Sequence, residues 1–455
     1  MSPRDRMSAN DGAGSVADPA ERRFGLKTGV VVGLADDDVV RALGIRYAEA
    51  ARFAPPVQVT RYDAPVNAFR RAPAAPQLPP KLFARLIGDD DLGTDENCQR
   101  LSVTAPADLG ADERLPVLVW IHGGGNVAGA GDFAHYDPRA LVVEQRVIVV
   151  TVTYRLGMLG FLGDGAEVPA NLGLLDQLTA LRWIRDNISA FGGDPDLVTV
   201  FGQSSGAAAI AYLMISDGAE GLFRRAIMQS APLAVAAGRA AMTEAMLAAV
   251  GVLSRDAPVE EILALQPVAE RAARGHGMAS RMPFDVQPGL PPVPDGAERD
   301  AAWREAAGRV DVLIGCTLEE TGVIGALVPA LNGVFRLPVL GHVVRRLIVT
   351  PSTRSMYETP ARQFVARHRA AGGRAYRYRM TWRPDDNGYG AAHLTDLPLL
   401  LGTRQAWEGA ALLGSADWAD VDRRGRVVRR IWAEFARTGT VPDVGESDTI
   451  SLLPD

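Results

Sequence analysis

The stretch Phe191-Gly192-Gly193-Asp194-Pro195-Asp196-Leu197-Val198-Thr199-Val200-Phe201-Gly202-Gln203-Ser204-Ser205-Gly206 reads in three parts. Val198–Phe201 has the composition of a short buried strand, and Ala207–Ile215 opens a buried helix. Between them lies Gly202-Gln203-Ser204-Ser205-Gly206, a G-x-S-x-G. This pattern, set between a strand and a helix, marks a sharp turn that exposes a nucleophilic serine. The serine sits on strained backbone, and side chains in place of the two glycines would clash there. The turn lifts the Ser204 hydroxyl to a helix N-terminus, where developing negative charge is favoured. The five residues alone are weakly specific, so their surroundings must carry the reading.

Composition narrows those surroundings. The chain has 455 residues, 47% hydrophobic and 22% charged, enough for a large core without covalent staples. A formal net charge of −6, with no Lys/Arg run, gives no reason to expect a nucleic-acid partner. Two cysteines, Cys98 and Cys316, are not a disulfide framework and suit a reducing compartment. The first residues are polar, without an apolar signal-peptide core, and no apolar run reaches the ~18 residues of a membrane span. The expectation is a cytoplasmic protein without a membrane partner. Residues 1–24 read as a disordered tail.

Along the chain, strands are expected at Val30–Leu34, Val39–Gly44, Gln99–Thr104, Val117–Ile121, Val147–Thr153, Arg225–Ser230, Val310–Gly315 and Ala375–Met380. Helices are expected at Leu174–Ile188 and Val427–Arg437, and a Pro-rich then acidic loop at Ala72–Gly93. Strands alternating with helices predict an α/β fold with a mostly parallel sheet covered on both faces. Residues 25–455 read as one domain. Segments 233–300 and 322–350 read as a helical cap over the C-terminal strand ends, with their apolar residues in the core or lining a pocket.

Ester hydrolysis by a serine needs a nucleophile, a base, a group that orients the base, and N–H donors for the oxyanion. In the chain order serine, acid, histidine, the candidates are Ser204, then Glu319 or Glu320, then His393. His135, His276, His342 and His368 lack such a context, and His122 reads as positioning the Gly-rich turn Gly123–Gly125.

Several longer stretches carry a resemblance. Tyr154–Leu162 (YRLGMLGFL), Asn171–Gln177 (NLGLLDQ) and Trp183–Pro195 (WIRDNISAFGGDP), with Gly44–Ala48 and Phe435–Gly439 near the ends, are similar to the type-B carboxylesterases, the para-nitrobenzyl esterase and cholinesterase family. The resemblance spans most of the chain. It implies an α/β-hydrolase fold and a serine carboxylesterase that uses no cofactor and no metal. Its substrate would be a small-molecule ester. Ser204 would be the nucleophile and His393 the base, with Glu320 matching the family's acid. Thr321 stands where the family has glycine, which keeps Glu319 open. Backbone N–H groups of Gly124, Gly125 and Ser205 would form the oxyanion hole, while Ser230 would support Glu320 or His393 and Gln203 would stand beside the nucleophile.

Gln203 replaces the family's usual glutamate, and the loop Ala75–Cys98 has Phe83 as its only aromatic residue. The implied preference is for neutral short-to-medium acyl esters over choline esters. The family's partner position for Cys98 is Ala75, so Cys98 is expected as a free thiol. Structural ion pairs Arg52–Glu96 and Arg155–Asp176 are implied as well. The competing readings are a non-catalytic binding module of the same fold and a lipase for long-chain esters, which would carry an apolar lid.

Overall fold

The computed structural model describes residues 21–454 save 80, 111, 237, 325–327, 336, 338, 444 and 446. The strands are β1 (Glu21–Leu26), β2 (Gly29–Asp36), β3 (Val39–Arg46), β4 (Ala48–Glu49), β5 (Val57–Gln58), β6 (Val66–Asn67), β7 (Arg100–Pro106), β8 (Leu115–Ile121), β9 (Ile148–Thr153), β10 (Gly193–Gln203), β11 (Arg225–Gln229), β12 (Asp311–Thr317), β13 (Ala375–Met380) and β14 (Ile450–Leu453). Twelve form one sheet whose order is β1-β2-β3-β7-β9-β8-β10-β11-β12-β13-β14, with β6 pairing β2 off this path, while β4 and β5 pair separately. From β9 to β13 neighbouring strands run parallel, and the flanking strands along this path pair antiparallel, while β6 pairs β2 in parallel.

Parallel strands covered on both faces should be apolar at every position. β8 is buried throughout. Its alternate residues feed two cores: Val117, Val119 and Ile121 join one cluster, Leu118 and Trp120 the other. The helix Leu172–Asn187 packs into the first core. The closing helix Trp418–Thr438 turns Val428, Ile431, Trp432 and Phe435 into the second and ends at Gly439, whose φ of 72° permits the left-handed cap. This is the α/β-hydrolase fold, a mixed sheet with helices on both sides.

Some expectations need correcting. Residues 21–24, read as tail, form most of β1, which pairs with β2 from Glu21↔Leu34 to Leu26↔Gly29. The rest of that tail lies outside the described residues. The loop 72–93 contains a helix, Lys81–Ile87, whose Leu86 and Ile87 are buried in the second core. Strand β14 was missed altogether.

Both implied ion pairs are present. Arg155 Nη2 lies 2.7 Å from Asp176 Oδ1 with both side chains buried, and Arg52 Nε donates to Glu96 Oε2 at 2.8 Å. Cys98 and Cys316 are free and buried.

Candidate active site

The sheet places three loops at the C-terminal ends of parallel strands, after β8, its neighbour β10 and, one strand beyond β11, β12, where open α/β sheets bind ligands. Ser204 follows β10 directly and precedes the helix Ser205–Leu213, with φ 56° and ψ −125°. A non-glycine residue with positive φ is strained, and here the neighbours impose it. A Cβ on Gly206 would stand 2.2 Å from the Ile121 carbonyl oxygen, and one on Gly202 2.6 Å from the same atom. The elbow is pressed against the end of β8, and only glycine fits at either position.

Glu320 opens a tight turn after β12 and is buried. Its Oε1 accepts from the Thr317 N–H at 2.6 Å and from the Ser230 hydroxyl, and its Oε2 meets His393 Nδ1. Every partner can donate, which suits a carboxylate. Glu319 turns the other way: its Oε2 accepts from Arg383 Nε at 2.8 Å and from the Ala391 N–H at 3.1 Å. The structure therefore brings Glu320, and not Glu319, to His393. Thr321, the departure from the family pattern, directs its hydroxyl to Ser352 at 2.6 Å.

His393 Nε2 lies 3.0 Å from the Gln203 side-chain amide nitrogen, and among the hydrogen bonds of the described residues none joins it to Ser204 Oγ. Burial disfavours the imidazolium. The charge and hydrogen bond of Glu320, with the charge of Asp396, outweigh this and hold the His393 pKa above its usual value. Asp396 is itself buried, accepts from Gln229 Nε2 at 2.6 Å, and leaves Oδ1 without a partner. Burial raises its pKa to about 6. The Tyr357 ring stands 5.7 Å from the His393 ring.

The glycine loop after β8 closes on the elbow from above. A Cβ on Gly123 would approach Ser204 Cβ to 3.1 Å, and one on Gly124 would meet Ala128 O at 1.9 Å. Gly124 and Gly125 take φ of 120° and 64°. Neither of their N–H groups donates to a protein acceptor among the described residues. Asn126 pins the loop: its N–H donates to Ser205 Oγ at 3.2 Å, and its Nδ2 donates to Phe284 O at 3.1 Å. His122 is buried, with Nδ1 2.8 Å from Gly123 O and its ring stacked on Tyr154. Burial pushes its pKa down to about 4. His135 and His368 are tied to backbone carbonyls elsewhere. The His342 side chain lies outside the described residues.

A profile of the carboxylesterase family matches residues 22–330. The chain belongs to the carboxylesterase family. It is a carboxylic ester hydrolase of the serine-hydrolase type. Over 91% of its length this carboxylesterase is 38% identical to a probable N-octanoylanthranilate hydrolase of Rhodococcus erythropolis, of which the match covers 93%. It is 32% identical to the para-nitrobenzyl esterase of Bacillus subtilis, over 90% of this chain and 88% of that one. Among solved structures, a thermophilic para-nitrobenzyl esterase superposes with a TM-score of 0.75 at 29% identity, covering 94% of this chain and 93% of the other.

Sequence reasoning missed Asp396, Asn126 and Tyr357 in this carboxylesterase. Asp396 had a signal, a second carboxylate three residues past His393 in an otherwise apolar run. Tyr357 and Asn126 had none, because their importance depends on contacts with segments remote in the chain.

Among the described residues no group of His, Cys, Asp and Glu side chains could hold a metal ion, and no helix is long and apolar enough to cross a membrane.

Proposed function

We propose that Ser204, Glu320 and His393 form the catalytic triad of this esterase, acting in the cytoplasm on neutral carboxylic esters of short-to-medium acyl length. The observation that carries this reading is the seating of the buried Glu320 carboxylate on His393 Nδ1, which leaves Nε2 toward the elbow that bears Ser204.

The Ser204 hydroxyl oxygen attacks the ester carbonyl carbon as its proton passes to His393 Nε2. Glu320 keeps the Nδ1–H tautomer in place and stabilises the imidazolium. The negative oxygen of the tetrahedral intermediate is met by the N–H groups of Gly124, Gly125 and Ser205. The carbon–oxygen bond to the alcohol then breaks, and His393 returns the proton to the leaving oxygen. Water, deprotonated by His393, then adds to the acyl carbon; the bond to Ser204 Oγ breaks, His393 returns the proton to that oxygen, and the acid is released. Because Gln203 contacts Nε2, its amide must yield that nitrogen to Ser204 during the cycle.

Ser230 supports Glu320 from the side away from His393, and Gln203 sets the charge beside the base. With Gln203 neutral and Phe83 the single aromatic residue of the 75–98 loop, little remains to attract a quaternary ammonium, so neutral butyrate esters should outrun butyrylcholine. The octanoyl group in the name of the Rhodococcus relative supports the medium end of the acyl range.

A para-nitrophenyl ester series from acetate to octanoate, with N-octanoylanthranilate as an amide arm, tests the range. Ser204→Ala should lose several orders of magnitude in kcat while keeping the wild-type melting curve. Near-wild-type turnover by that variant would remove Ser204 from the reaction.

A further inference from the structure

Between Glu320 and Glu358 the chain holds no Asp or Glu, yet it carries Arg336, Arg345, Arg346 and Arg354, in a protein whose net charge is −6. Within this stretch lies the helix Leu340–Thr353. Its apolar residues were expected in the core or a pocket. Instead Leu340, Val343 and Leu347 are 52%, 46% and 70% exposed. Their spacing of three and four residues sets them in one stripe along the helix. Val339, 78% exposed, extends the stripe at its start. Seven of the eleven large apolar side chains exposed among the described residues fall between Val328 and Ile348, so this is a concentrated patch and not the ordinary scatter of surface hydrophobics.

The opposite side of the helix is anchored. Val349 and Thr353 are buried, and the Thr321 N–H donates to Thr353 Oγ1 at 3.3 Å while its hydroxyl meets Ser352. The stripe is therefore held outward by a base fixed one residue from Glu320. Arg345 is partly occupied by the Tyr389 carbonyl at 2.8 Å. Arg346 and Arg354 are exposed beside the stripe.

We propose that the helix Leu340–Thr353 docks this carboxylesterase on an anionic lipid surface, with the Leu340–Val343–Leu347 stripe entering the headgroup boundary and Arg346 and Arg354 meeting the lipid phosphates. A helix of this length, apolar on one side and basic beside it, lies in an interface and does not span it. Charge decides between a lipid surface and a second copy of the chain. A symmetric pair formed through this stripe would set Arg346 and Arg354 of one copy against those of the other, with no acidic residue in the segment to separate them. An anionic leaflet complements the same arginines. The inference concerns binding and does not depend on the assigned reaction.

The test is co-sedimentation of the full chain with vesicles of phosphatidylglycerol and, separately, of phosphatidylcholine. Wild type should partition onto phosphatidylglycerol and much less onto phosphatidylcholine. Leu340→Glu with Leu347→Glu should abolish partitioning, and Arg346→Glu with Arg354→Glu should lower it by more than about tenfold, since each basic residue near such a surface contributes roughly fivefold. Turnover of a water-soluble butyrate ester and the melting curve should be unchanged in both variants, which reports an intact fold. Failure of wild type to sediment with phosphatidylglycerol would overturn the proposal, as would full binding by the Leu340/Leu347 variant. A concentration-dependent dimer in light scattering, dissolved by the same double substitution, would assign the stripe to a second copy instead.

Discussion

The Gln203 amide and the His393 imidazole are in contact through Nε2, 3.0 Å apart, on the nitrogen that takes the Ser204 proton in the proposed reaction. The other ring nitrogen is held by Glu320. His393 is therefore gripped at both ends in this structure, by a carboxylate on one side and a neutral amide on the other.

That neutrality can be removed. Gln203→Glu, which installs the family's usual residue, would place a second carboxylate against the imidazole and favour its charged form. The acid limb of the kcat/KM profile should move to higher pH by about one unit or more, because the base works only when neutral. A pH profile on a neutral butyrate ester reads this directly, and an unmoved limb would show that Gln203 does not face His393 in solution.

Asp396 gives a second handle on the same proton. The His393 pKa is held above 6.5 against the opposing effect of burial, so the acid limb of wild type should itself lie above that value. Asp396→Asn removes one negative charge facing the imidazole and should shift the limb to lower pH. Linkage gives a matching stability effect. A base with a raised folded pKa contributes stability that is full below its unfolded pKa and lost as pH rises through the folded one. The fall in Tm with rising pH across the neutral range should therefore be shallower in Asp396→Asn.

The adjacent glutamates should separate cleanly. Glu320→Gln puts a neutral amide, which can donate as well as accept, where the carboxylate fixes the His393 tautomer, and kcat should fall by roughly three to four orders of magnitude, as when a triad acid is neutralised elsewhere. Glu319→Gln loses an ion pair to the half-exposed Arg383, and kcat should stay within a few-fold of wild type. Steady-state kinetics on both variants decides the order.

The two thiols should be silent. Burial raises both the Cys98 and the Cys316 pKa and keeps reagents away. Native protein should titrate slowly with a thiol reagent and denatured protein should give two equivalents, with Tm unaffected by reductant. A Tm that drops in reductant would require a bridge between them.

Some of this arrangement was legible because it is written locally. Gly202 and Gly206 announce the elbow since no other residue clears the end of β8, and the burial of β8 on both faces follows from its unbroken apolar run. The helix Lys81–Ile87 was hidden in a Pro-rich stretch because its support comes from the distant second core. β1 was hidden because its outward residues are charged and only its pairing with β2 makes it a strand.

By itself the sequence determined the strand-turn-helix at Ser204, the parallel α/β layering and the set of triad candidates, because backbone strain and side-chain periodicity are properties of neighbouring residues. Tertiary structure alone shows which of Glu319 and Glu320 meets His393. The two are adjacent and chemically alike, and what separates them is that the turn after β12 sends one toward Arg383 and the other to Ser230 and His393. It likewise decided that Gln203 meets His393 and that Leu340, Val343 and Leu347 face solvent. Side-chain direction across segments far apart in the chain is set by how those segments pack, and no local pattern encodes it.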